Sequence, residues 1–248
     1  MLVFVIALKS PKLSTSWKQV SQLFERTIKS ICNQTCQDFQ IVVACHEKPI
    51  TEFHHPKIHY LEVDLPIPNN DTASKEGDKA RKLLKGLAYA EKFSPSHVMI
   101  VDADDCISKH IVEHVKQNPD SPGWFVKKGY VYREGEKLVY LRSKAFSSLC
   151  GSGIIIKYGL HYQLFKGDYY DHKVTQLKDN INLEPLPFSG AMYIAQHGEN
   201  LYLNNSRNSK QKSQLRSKGY IYVLRDLLQY RLLTGKIRKE FNLFDISS

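Results

Sequence analysis

Short apolar runs and longer amphipathic stretches follow one another along the first hundred residues. Leu2 to Leu8 is a continuous apolar run and predicts a buried strand. Lys9 to Thr15 is a polar loop containing Pro11. From Trp17 to Cys32 the apolar positions take helical spacing, with Val20, Leu23, Phe24, Thr27, Ile28 and Ile31 on one face. Asn33 to Asp38 reads as a turn, Phe39 to Ala44 as a second strand and Ile58 to Val63 as a third. Pro66 to Gly77 is a long polar loop, which suggests function or mobility. Asp78 to Phe93 predicts a helix lined by Ala80, Leu83, Leu84, Leu87, Ala88 and Ala90. Val98 to Val101 is again a short buried strand. This order predicts an α/β fold, Rossmann-like, with a mixed but mostly parallel sheet flanked by helices.

Further along, Ile107 to Gln117 predicts a helix and Asn118 to Gly123 a turn. Trp124 to Tyr132 and Lys137 to Leu141 read as two strands joined at Arg133-Glu134-Gly135-Glu136. Gly151, Ser152 and Gly153 precede the apolar run Ile154 to Ile156, and glycines there suggest close approach of a ligand or another backbone. Gly151 and Ser152 are therefore candidate acceptor contacts. Leu183 to Gly190 carries Pro185 and Pro187 and suits a loop or edge strand; Ala191 to Ala195 is a strand. Asn204 to Gly219 is polar, and Tyr220 to Leu233 predicts a helix. The expected organisation is one domain over 1–203, with halves 1–106 and 107–203, followed by a basic helical C-terminal extension over 204–248. There is no internal repeat and no low-complexity segment.

Charge narrows the partners. The net charge is +10 and the isoelectric point about 9.2. Such a balance implies affinity for something anionic: a nucleotide, a nucleic acid or an anionic membrane. From Arg207 to Lys239 basic residues face a lone acid, Asp226. That stretch suits a phosphate clamp, an anionic-lipid contact or a solvated face. No apolar run approaches the roughly 20 residues that span a bilayer. Met1 to Leu8 lacks a basic leader and a small-residue cleavage site, and is expected to be a first strand rather than a signal peptide. Cys32, Cys36, Cys45, Cys106 and Cys150 are odd in number and scattered, and are expected to be reduced thiols of a cytosolic protein.

The candidate chemistry sits at the end of the fourth strand, where Asp102, Asp104 and Asp105 follow the apolar run. Open α/β sheets bind ligands at the carboxyl ends of their strands. Alternate residues of an extended segment share a face, so Asp102 and Asp104 can converge while Asp105 begins the turn. Carboxylates packed this closely repel one another unless a cation lies among them. Mg²⁺ or Mn²⁺ held by one or two carboxylates and substrate phosphates is the usual solution. The alternative is a solvated acidic turn in which Asp105 caps the next helix. The expected helix from Asp78 carries Lys79, Arg81 and Lys82 in its first turn, where cations oppose the helix dipole. An anion bound there offsets that cost; a solvated basic face is the other reading.

Three stretches together resemble the GT-A-type glycosyltransferases, near the large family-two branch. Phe4-Val5-Ile6-Ala7, then Leu23 to Ile31, then Gln34 to Val43 are similar to that family's first strand, first helix and second strand. Gly77-Asp78-Lys79-Ala80-Arg81 with Gly86-Leu87-Ala88, ahead of Val101-Asp102-Ala103-Asp104-Asp105, resembles its glycine loop, helix and Asp-x-Asp motif. His197 in His-Gly-Glu-Asn looks like its carboxyl-side metal histidine. The resemblance implies a UDP-, GDP- or dTDP-linked sugar donor, with Mn²⁺ or Mg²⁺ on the diphosphate. It implies metal ligation by Asp104, Asp102 and His197, and donor contacts from Ala7, Lys79, Asp102 and Asp105. Cys45-His46-Glu47-Lys48 stands where the family commonly has Asp-Asp-Gly-Ser, so Glu47 takes the donor-contacting place. For inverting transfer a carboxylate base is implied, Asp171 or its rival Asp168, with Tyr162, Tyr169 and Tyr170 available to stack on sugar. The implied acceptor is a hydroxyl of a glycan or lipid-linked glycan. A cytoplasmic location is expected, with peripheral contact at the inner membrane face. Two alternatives stand beside this. A sugar-nucleotidyltransferase favours a glycine-rich phosphate loop near the amino end, and Ala7 to Ser16 has no glycine. A nucleic-acid-binding protein accounts for the charge and predicts strongly salt-dependent binding, but the aspartates oppose it.

Overall fold

The computed structural model describes residues 1–174, 177, 181–199 and 227–246. The amino-terminal part runs β1 (Leu2–Ala7), α1 (Trp17–Cys32), β2 (Phe39–Cys45), β3 (Ile58–Glu62), α2 (Thr72–Ala90) and β4 (His97–Ile100). It continues with β5 (Cys106–Ile107), α3 (Ile111–Gln117), β6 (Gly123–Phe125), β7 (Lys128–Arg133), β8 (Leu138–Arg142) and β9 (Ile154–Lys157). Then come β10 (Phe165–Lys166), β11 (Tyr169–Tyr170), β12 (Glu184–Pro185), β13 (Ser189–Ala195), β14 (Tyr230–Leu232) and α4 (Gly235–Phe241).

The main sheet has the order β12-β6-β9-β4-β1-β2-β3. Its β3-β2-β1-β4 part is parallel throughout, and β9 runs antiparallel between β4 and β6. Both faces are covered, which is why β1 reads as an unbroken apolar run. Phe4 and Ile6 pack with Phe24 and Ile28 of α1 on one side; Val3 and Val5 pack with Leu83 and Leu87 of α2 on the other. The chain winds outward from β1 through β2 to β3, then returns to place β4 on β1's other side. That reversal is a topological switch point, and the crevice at the strand ends there is the place for a ligand. A second sheet, β14-β8-β7-β13-β5, is closed on one face by α4, with Tyr132, Val139, Ile194 and Phe241 buried together. The five cysteines are unpaired. Among the described residues no helix is long and apolar enough to cross a membrane.

Several expected elements shift. α2 starts at Thr72, because the Asp71 carboxylate accepts from the Ser74 amide at 2.8 Å and caps the helix. Residues 72–77 are therefore helix rather than loop. Lys79, Arg81 and Lys82 lie beyond the first turn, so the argument from a cationic helix N-terminus does not apply to them. The expected strand from Trp124 to Tyr132 is two strands in two different sheets, broken at Val126 and Lys127. The expected helix from Ile107 begins only at Ile111, since Cys106 and Ile107 pair with β13. The expected helix over 220–233 lies outside the described residues as far as 226. Tyr230 to Leu232 is a strand, paired antiparallel with β8. The boundary at 203/204 also falls outside the described residues.

Candidate active site

The end of β4 is held open as a loop by Asp105. Its carboxyl group is fully buried and accepts from Ser152 Oγ at 2.7 Å, Cys150 Sγ at 3.0 Å and the Ile194 amide at 3.3 Å. Ser152 Oγ also accepts from the Asp102 amide at 2.9 Å. One buried hydroxyl thus fixes both ends of the acidic turn and joins it to the loop before β9. Burial raises the Asp105 carboxyl well above the usual range, and the charges of Asp104 and Asp102 raise it further.

Asp102 and Asp104 then face a cavity of about 460 Å³ at the carboxyl ends of β1 and β4. Lys79, from α2, pairs with Asp102 Oδ1 at 2.6 Å. Burial would lower the Lys79 ammonium, but the Asp102 carboxylate outweighs it and holds the ammonium above its ordinary value. Lys79 also lies over the Tyr170 ring at 5.6 Å from its centre. His197 Nε2 meets Asp104 Oδ2 at 2.9 Å. Its Nδ1 accepts from the Glu199 amide at 3.3 Å, so the ring of a neutral His197 carries its proton on Nε2 and donates to Asp104. Burial would raise the Asp104 carboxyl, yet the hydrogen bond and charge of His197 and the charge of Lys79 hold it below its ordinary value.

The loop bearing His197 is pinned to the start of α1. Glu199 accepts from Lys9 Nζ at 2.6 Å and from the Thr15 and Ser16 amides, each at 2.9 Å. Gln19 Nε2 donates to the His197 carbonyl at 2.8 Å. Gly198, at φ 86°, makes the left-handed turn that this loop requires.

The expected residues divide sharply. Ala7, Lys79, Asp102, Asp104, Gly151 and His197 line the cavity together. Gly151 lies so close to Asp102 that an added Cβ would stand 2.5 Å from its Oδ2. Ser152 and Asp105 are buried behind the cavity wall. Glu47 is exposed after β2 and is not among the lining residues. Asp171 is buried beside the cavity, paired with Lys166 at 3.1 Å and accepting from the Lys173 amide. Asp168 is exposed and paired with Arg81 at 2.9 Å. Tyr169 and Tyr170 line the cavity; Tyr162 does not and is exposed. The sequence reading missed Lys9, His172, Tyr193 and Glu199, which also line it. His172 was visible only as the neighbour of Asp171. Burial lowers its imidazole below the ordinary histidine value.

Among the described residues no three His, Cys, Asp or Glu groups are placed to hold a metal by themselves. The donor set still fits a hard dication, because two carboxylates reach the cavity and Mg²⁺ or Mn²⁺ completes its shell from substrate phosphates. The class defined by fold and site is an α/β protein with a ligand cavity at the switch point of its main sheet.

Neither a family model nor a curated protein matches the chain. Among solved structures, it is similar to S. aureus TarS 1-349 in complex with UDP-GlcNAc at 11% identity and a TM-score of 0.43. That alignment covers 96% of this chain and 69% of the other. With TarS 1-349 alone, identity is 12% and the TM-score 0.41, and this chain spans 60% of that chain's length. With the Francisella tularensis 2-C-methyl-D-erythritol 4-phosphate cytidylyltransferase, identity is 13% and the TM-score 0.41, covering 87% of this chain and 100% of the other. Likenesses this distant carry no argument about activity.

Proposed function

We propose that the chain is a glycosyltransferase that takes a sugar from a nucleoside-diphosphate donor, UDP-, GDP- or dTDP-linked, and passes it to a hydroxyl of a glycan or lipid-linked glycan. The observation that supports it is the meeting of Lys79, Asp102, Asp104 and His197 in one cavity at the carboxyl ends of β1 and β4. Asp104 and Asp102 would hold Mn²⁺ or Mg²⁺, which when bound neutralises charge on the departing diphosphate. His197 positions Asp104 through the proton on Nε2. Lys79 neutralises Asp102 and supplies a second cation beside the phosphates. The walls at Ala7 and Leu8 take the nucleoside side of the donor, and Tyr169 and Tyr170 face the sugar.

In this reading the bond from the sugar's anomeric carbon to the diphosphate oxygen breaks as the acceptor oxygen bonds to the same carbon from the opposite side. The acceptor proton goes to a base and the nucleoside diphosphate leaves. His172 is better placed for that task than Asp171 or Asp168, because it lines the cavity and burial favours its neutral form.

Titration calorimetry of UDP, GDP and dTDP, with and without Mn²⁺, tests the donor site on the native chain and on Asp104→Ala. Micromolar binding of one nucleotide that needs both the metal and Asp104 supports the reading. Absence of metal-dependent binding to all three overturns it.

A further inference from the structure

A second, smaller cavity of about 120 Å³ lies against the first and shares Ala7, Leu8, Lys9 and Lys79 with it. It is bounded by the chain that leaves β1 and by the amino-terminal part of α2. Two polar groups that line it are almost wholly buried: Asp78 is 5% exposed and Ser10 1%. The Asp78 carboxylate accepts from Lys82 Nζ at 2.7 Å through Oδ2. Its Oδ1 has no hydrogen-bond partner among the described residues, and neither has Ser10 Oγ. His46 Nε2 stands 3.8 Å from Oδ1, but its proton goes to the Leu65 carbonyl at 3.0 Å. A buried carboxylate oxygen left unmatched is costly, and a ligand N–H at that point removes the cost.

The groups present define what fits. Leu8 and Leu13 give the cavity apolar walls. Asp78 offers one acceptor, Ser10 a hydroxyl, and Lys82 an ammonium that gives two of its three hydrogens to the Leu8 carbonyl and to Asp78. That set matches an N–H with a carbonyl on either side, which is the Watson–Crick edge of uracil or thymine. Guanine presents two adjacent N–H groups and needs both oxygens of a carboxylate, one of which Lys82 already holds. Cytosine and adenine turn a ring-nitrogen lone pair towards the carboxylate and are repelled. Glu47, the carboxylate expected to contact the donor, is exposed and lines neither cavity.

We infer that Asp78 reads the donor's base, with Ser10 and Lys82 beside it, and that the donor is uracil- or thymine-linked rather than guanine-linked. This rests on the transferase reading, which puts the diphosphate beside Lys79, Asp102 and Asp104. Asp78 and Lys79 are consecutive on α2, so one stretch of helix serves both ends of the nucleotide: Asp78 meets the base and Lys79 the phosphates.

Calorimetry in the presence of Mn²⁺ tests it with UDP, dTDP, GDP, CDP and N3-methyl-UDP, in which a methyl group replaces the N3 proton. On the native chain UDP and dTDP should bind at least about tenfold more tightly than the other three. The methylated nucleotide makes this test without altering the protein. Asp78→Asn should cut the preference for UDP over CDP at least about tenfold, since an amide can donate to the cytosine ring nitrogen. The same variant should bind inorganic pyrophosphate with Mn²⁺ as the native chain does, which shows that it is folded. Ser10→Ala, which leaves the pair of Asp78 and Lys82 intact, should weaken UDP and leave pyrophosphate unchanged. Saturation-transfer NMR with uridine and cytidine, which carry no phosphate, reads the base site alone. Asp104→Ala should keep the native preference for uridine while losing metal-dependent UDP binding, so the base site and the metal site fail separately. Equal binding of UDP, CDP and N3-methyl-UDP overturns the inference, as does an unchanged UDP preference in Asp78→Asn or a native chain that saturates uridine no more than cytidine. Pyrophosphate binding that still needs Mn²⁺ and Asp104 would then show that the diphosphate site stands without it.

Discussion

Asp105 contributes most at the residue scale without reaching the cavity. It is a carboxyl group buried behind two others, and it stays there because three donors converge on it. Ser152 carries two of the relevant contacts, one to Asp105 and one to the Asp102 amide. Ser152→Ala leaves a buried amide and a buried carboxyl each short of a partner, and each such loss costs about 1–3 kcal/mol. The expected result is a lower urea midpoint together with weaker nucleotide binding, since the acidic turn that presents Asp102 and Asp104 is no longer fixed. Retention of both stability and affinity would show that the turn is held by its backbone alone. The aspartates were legible in the sequence because they follow one apolar run directly. The buried role of Asp105 was not, because its partners come from residues 150, 152 and 194.

At the scale of elements, the parallel half of the main sheet was readable. Its strands are buried on both faces and its helices carry one-sided apolar stripes, so local pattern suffices. Boundaries failed where a long-range partner decided them. Trp124 to Tyr132 reads as one strand, yet it is shared between two sheets, and Lys127-Lys128-Gly129 is the local interruption that marks the crossing. His172, Tyr193 and Glu199 reach the cavity from separate late elements, so spacing could not group them with Asp102. The seating of α2 offers a test at this scale. Gly86 lies against β1 so closely that a Cβ would stand 2.7 Å from Val5 Cγ1, and Val5 is fully buried. Gly86→Val forces helix and sheet apart, and overpacking of this kind costs about 1–3 kcal/mol. Because Lys79 rides on the same helix, thermal stability and nucleotide affinity should fall together. A variant melting at the native temperature would mean that α2 is less tightly seated than this contact implies.

For the whole molecule, the two sheets and the carboxyl end are tied at Arg26, whose buried guanidinium bonds Glu134 of the β7–β8 turn and the Phe244 carbonyl. Distributed burial of this sort also sets how the fold responds to acid. Burial holds His46, His55, His59, His97, His114 and His161 below the ordinary histidine value of 6.5, in each case as the largest cause. His97 is the most enclosed; its Nε2 donates to the Ser121 carbonyl at 2.8 Å, a bond that by itself favours the charged ring, and burial outweighs it. A group whose folded value is depressed favours the folded state above its unfolded value. That stability is lost as the pH falls from there through the folded value, because the unfolded chain takes up protons first. With His172, lowered in the same way, seven groups therefore act in one direction below pH 6.5. Asp105 acts in the other, since its raised value lets the folded state bind a proton as the pH falls. One group opposes seven, so stability should decline between about pH 7 and pH 5, before ordinary carboxylates titrate. The urea midpoint read at both ends of that window checks the sign. An unchanged or higher midpoint at the acidic end would mean that these imidazoles accept protons in place, and that the fold does not depend on keeping them neutral.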